Sequence, residues 1–114
     1  MSRFLALLVL AGTLLGCPGG QAEGLEPAKV PPEVREDYMV FAQRCSKCHS
    51  LARPLQSGIE DDLFWEYYVA RMRRMPGSGI SPDDEKHILN FLRFYSAEQR
   101  KKRAGLTNTT WGAL

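Results

Sequence analysis

Residues 45 to 49 read Cys-Ser-Lys-Cys-His, and no other stretch restricts the fold of this chain as strongly. Two thiols three positions apart, with an imidazole directly behind them, suit few chemistries. A redox thiol pair usually sits at a strand-to-helix junction in a βαβ pattern, and the residues before Cys45 do not read as a strand. Structural zinc needs further ligands, and Cys17 and His87 are the only other cysteine and histidine. The spacing is instead that of covalent haem attachment. Two thiols add across the porphyrin vinyl groups, and the two residues between them make the turn that matches the vinyl separation. His49 then places a ring nitrogen on the iron. One such motif implies one haem c. Held covalently, that group belongs to the core, so its binding and folding are coupled.

Size makes such a staple necessary. The chain has 114 residues, one domain at most. A leader shortens it further. Arg3 precedes Phe4 to Leu15, an apolar run of 12 residues. That run is too short to span a bilayer core of roughly 30 Å and fits the h-region of an export signal. Leu14-Leu15-Gly16-Cys17 follows at once and resembles a bacterial lipobox, which predicts an acylated Cys17 as the mature N-terminus. An ordinary signal peptide cut near Ala22 and a retained membrane anchor are the alternatives. Residues 1–16 are thus expected to be a signal peptide. Residues 17–32, rich in Gly and Pro, are expected to be a flexible tether. The body that remains, about 80 residues, buries little apolar surface by itself.

The body reads as helices. Pro31-Pro32 and the acids Glu33, Glu36 and Asp37 mark the start of one over Glu33 to Lys47. Val34, Tyr38, Phe41, Ala42 and Cys45 form its apolar stripe, which runs into the first thiol. Ser50 to Glu60 reads as a loop around Pro54 and Gly58, and the Pro54 carbonyl is the expected acceptor for the second nitrogen of His49. Asp61 to Met75 is a second helix, ended by Pro76-Gly77. At 100° per residue its apolar arc holds Phe64, Met75, Tyr68, Met72, Trp65 and Val69. Ser81-Pro82-Asp83-Asp84 begins a third helix. Its inner side carries Ile88, Leu89, Phe91, Leu92 and Tyr95, and packs across the first. The basic run Ala97 to Ala104 extends it toward Gly105. Leu106 to Leu114 has no clear period and is set apart as a C-terminal tail, so the domain is bounded at residues 33–105.

Five possibilities exist for the second axial position on the iron: Met72, Met75, His87, Met39 or nothing. Met72 lies near the middle of the second helix's arc, Met75 immediately before Pro76. His87 falls on the outer edge of the third helix, and Met39 lies off the first helix's stripe.

Several segments together resemble class I c-type cytochromes. They are Cys45 to His49, Trp65…Val69…Arg71-Met72, Pro76-Gly77-Ser78-Gly79-Ile80-Ser81 and Ile88…Phe91-Leu92, covering about Glu33 to Tyr95. The resemblance implies an all-α, cytochrome c-like fold, three to four helices wrapped around one covalent haem. A bacterial subgroup carries an Arg-Met pair in the second helix with that Met on the iron, which names Met72. Other members use a Met-Pro step, which names Met75. The intervals from His49, 23 and 26 residues, are shorter than in typical members. Met72 is the expected ligand.

With His49 and Met72 on the iron no position stays open for substrate. The expected function is then single-electron transfer between redox proteins in the periplasm, as a carrier rather than a catalyst. A cytochrome subunit of an extracytoplasmic oxidoreductase is one alternative; a haem sensor or small peroxidase, with an open sixth position, is another. Arg71, Arg73, Arg74 and Arg100 to Arg103 suit partners with acidic docking faces. Acylated Cys17 would add a lipid bilayer as a second partner. A formal charge of only +2 argues against nucleic acid.

Overall fold

The computed structural model describes residues 24–111, with side chains described through Leu106. The expected signal peptide, Cys17 and the first part of the expected tether lie outside the described residues. Within them the chain is all-α, without strands. Three long helices and one single turn follow in the order α1 (Pro32–Cys45), α2 (Ala52–Leu55), α3 (Asp62–Arg74) and α4 (Pro82–Trp111). No described helix is long and apolar enough to cross a membrane.

The centre of the fold is the crossing of α1 and α4. Val34, Tyr38 and Phe41 on α1 meet Ile88, Phe91 and Leu92 on α4, all buried. Phe91 lies between two α1 rings, with centroids 5.1 Å from Tyr38 and 4.9 Å from Phe41. Tilted aromatic pairs at this spacing add to plain area burial. Helix α3 contributes Trp65 and Val69, both buried. Trp65 Nε1 donates to Ser96 Oγ at 2.7 Å, and Ser96 Oγ donates to the Ile59 carbonyl at 3.0 Å, so one buried relay ties α3, α4 and the segment between α2 and α3.

The start of α4 is a reciprocal cap. Asp84 N–H donates to Ser81 Oγ at 3.0 Å, and Ser81 N–H donates to the Asp84 carboxylate at 2.8 Å. Asp84 thus does what Glu or Gln does in the usual capping box. The helix does not stop at Gly105 but continues to Trp111.

Two further differences from the sequence reading have local causes. Residues 25–30 are part of the folded body. A 3-10 turn covers Pro27–Lys29 and Val30 is buried. Arg35 holds the Val30 carbonyl through Nε and Nη2 at 3.2 and 3.0 Å, and Tyr38 Oη donates to the Leu25 carbonyl at 2.5 Å. Side chains of α1, rather than any periodicity in the segment, fix it. The stretch after His49 is not wholly loop, since α2 opens it. Ser50 Oγ accepts from Ala52 N–H at 3.0 Å, and Pro54 sits in the first turn, where its missing N–H costs nothing.

Candidate cofactor attachment site

Cys45 is the last residue of α1, half-buried and packed against the core. Burial pushes its thiol up to about 12, so at neutral pH it is protonated and packs as an apolar group. Ser46 N–H closes the helix on the Ala42 carbonyl at 3.2 Å. A turn over residues 46–48 then brings Cys48 to the surface. The two thiols are not joined to each other. His49 follows, half-buried, with Nδ1 2.9 Å from the Ser50 carbonyl.

That contact corrects the expectation for Pro54. The Pro54 carbonyl is taken by Ser57, through Oγ at 2.7 Å and N–H at 3.2 Å. His49 turns to the nearest carbonyl, that of its own neighbour. With Nδ1 donating there, Nε2 is the nitrogen left for a metal, which is the usual arrangement of a ligating histidine. A cavity of about 790 Å³ opens beside Cys48 and His49, its other walls including Leu25, Tyr38, Met39 and Ala42. Cys45, Met72 and Met75 do not line it.

Helix α3 presents the other candidate residues. Its buried stripe centres on Trp65 and Val69, with Tyr68 and Met72 half-buried at the edge. Beyond that edge the apolar arc continues uncovered: Phe64 is 56% exposed and Met75 53%. Tyr68 Oη is buried without a hydrogen-bond partner. Burial pushes this phenol up, the nearby Cys45 thiol adds to the rise, and the Arg53 guanidinium opposes it. Tyr68 therefore lies within electrostatic range of the first cysteine, and Met72 is the next residue along the same edge of the helix.

The loop after α3 also returns to the motif. Met75 N–H donates to the Met72 carbonyl at 3.1 Å as the helix ends. Gly77 and Gly79 then adopt φ of 76° and 64°, which other residues rarely accept. A Cβ on Gly79 would stand 3.2 Å from Lys47 Nζ, so the lysine inside the Cys-x-x-Cys turn reaches this loop with its side chain. Arg44 to Asp84 at 3.1 Å and Arg73 to Glu85 at 3.2 Å hold its two ends.

The motif residues and the α3 edge fit a covalently held porphyrin. Two unbridged thiols share one turn, the next ring has a free nitrogen, and α3 carries an uncovered apolar flank beside an orphaned hydroxyl. Among the described residues no three His, Cys, Asp or Glu side chains gather to hold a metal ion on their own. Sequence reasoning missed the partner of His87. Its Nδ1 lies 2.6 Å from Asp37 Oδ1, and Asn90 bonds the other carboxylate oxygen. Fifty residues separate that pair, so no spacing rule could have joined them.

Comparison with known proteins finds no matching family model, no matching curated protein and no matching solved structure.

Proposed function

We propose that the chain is a monohaem c-type cytochrome of the periplasm that passes single electrons between redox proteins. Cys45 and Cys48 would hold the haem through thioethers, His49 would bind its iron through Nε2, and Met72 would take the opposite face. The observation that carries this reading is the turn itself: two free thiols three positions apart, one ending α1 and one in the turn after it, followed by an imidazole whose Nδ1 is already committed. A bound haem supplies a one-electron iron couple. The remaining tasks belong to side chains. The core aromatics exclude water on the α1 side, and the Ser50 carbonyl orients His49. The soft thioether of Met72 would favour the reduced iron.

Met72 is preferred to Met75 because it is half-buried, one turn beyond Tyr68 on α3, whereas Met75 is largely in solvent. Both axial positions would then be filled by protein, which leaves no place for a substrate and makes the role outer-sphere. Acidic faces on partner proteins would complement Arg71 and Arg74, both exposed on α3. Acylation of Cys17 would hold the protein at a membrane. The test is the difference spectrum of the alkaline pyridine derivative together with the mass of the denatured chain; a chain that carries no covalent haem after export would overturn the reading.

A further inference from the structure

The net positive charge is concentrated at one end of one helix. Between Gly24 and Ser96, ten Lys and Arg face eleven Asp and Glu; between Ala97 and Leu106, four face one. The four are consecutive, Arg100 to Arg103. Arg100 donates to the Glu60 carbonyl and Arg103 pairs with the Glu60 carboxylate, so these two point back at the body. Lys101 and Lys102 are exposed on the other side. Lys101 reaches Glu98 at 2.6 Å in a pair open to water, and Lys102 makes no ion pair among the described residues. Successive helical residues are 100° apart, so a run of four surrounds the helix rather than marking one face.

We propose that this end of α4 docks on an anionic lipid surface. The proposal rests on the reading of Cys17 as acylated, and three arguments lead to it. The first is charge: a body with no net positive charge carries a basic extension, the distribution expected of a segment attracted to anionic headgroups. The second is tether length. Only six residues lie between Cys17 and Gly24, the first described residue, and the seven chain steps can extend about 25 Å at most. Headgroups are therefore always within reach, at high effective concentration. The third is reach. Asn90 sits at the α1–α4 crossing, and Lys102 is 12 residues further along a helix that rises 1.5 Å per residue, about 18 Å away. Because attraction fades within about 8 Å at physiological salt, the tether alone does not fix orientation. A second contact at α4 would do so.

The test uses the full mature chain with haem attached, produced without acylation, and vesicles of phosphatidylcholine with or without phosphatidylglycerol. Co-sedimentation should occur with the anionic vesicles only and disappear in high salt. Lys101→Gln together with Lys102→Gln should lower partitioning about 25-fold, at about fivefold per cation. Equal partitioning on both vesicle types, or a double variant that binds unchanged, would overturn the proposal. So would binding to soluble polyglutamate with none to anionic vesicles, which would point to an acidic protein. If mass analysis of the protein from cells finds no lipid on Cys17 while the anionic preference persists, the acylation reading fails and the α4 surface stands.

Discussion

His87 Nδ1 lies 2.6 Å from Asp37 Oδ1 across the crossing of α1 and α4. Asn90 Nδ2 donates to the other oxygen of the same carboxylate at 2.5 Å. A largely buried acid thus joins the two central helices through two α4 side chains one turn apart. The hydrogen bond that His87 donates to Asp37 raises the histidine's pKa above its ordinary value; desolvation opposes this, and the charges of Asp37, Glu36 and Asp83 add to it.

The sign of the resulting pH dependence follows from linkage. A histidine whose folded pKa exceeds its unfolded value, about 6.5, stabilises fully below that value. The contribution is lost as pH rises through the folded pKa. Because 41% of the His87 side chain is in solvent, the effect is small. Thermal unfolding measured from acid to mildly alkaline buffer should show a midpoint that declines above about pH 6.5. His87→Gln should flatten that decline. A slope that survives in His87→Gln would assign it to another group.

Ser96 is the second test of the core. Replacement by Ala strands Trp65 Nε1 in a buried site and removes the link to the Ile59 carbonyl. The expected loss is about 1–3 kcal/mol in denaturant unfolding. A loss within error would mean that Trp65 finds another acceptor.

Much of this fold is legible in the sequence, and the omissions have physical reasons. Val34, Tyr38, Phe41 and Ile88, Phe91, Leu92 are spaced as helix faces and are buried as such. Ser81 to Asp84 announces its helix start through local chemistry. The motif is legible because the function proposed for it lies in its spacing. The Leu25–Val30 segment is not, since Arg35 and Tyr38 hold it through backbone carbonyls, which have no residue signature. From Leu106 on the sequence has no apolar period to reveal that α4 continues. The α3 arc is legible as apolar, but two of its six residues, Phe64 and Met75, are uncovered.

The axial ligand is tested by two substitutions. Met72→Ala should abolish the weak long-wavelength charge-transfer band of the ferric protein, lower the reduction potential and admit carbon monoxide to the ferrous form. Met75→Ala should keep the band and alter stability little, since Met75 is 53% exposed. The opposite pattern would move the ligand to Met75. Loss of the band in neither variant, or a native protein without it, would contradict His/Met ligation and favour an open or His87-bound iron.

The central claim is covalent attachment through Cys45 and Cys48, with His49 beside them. The most direct measurement is the intact mass of the exported, denatured chain, paired with extraction into acidified organic solvent. The account predicts a mass raised by one haem, no haem in the organic phase, and loss of attachment when both cysteines become Ala. An unmodified mass, or haem that extracts completely, would contradict it.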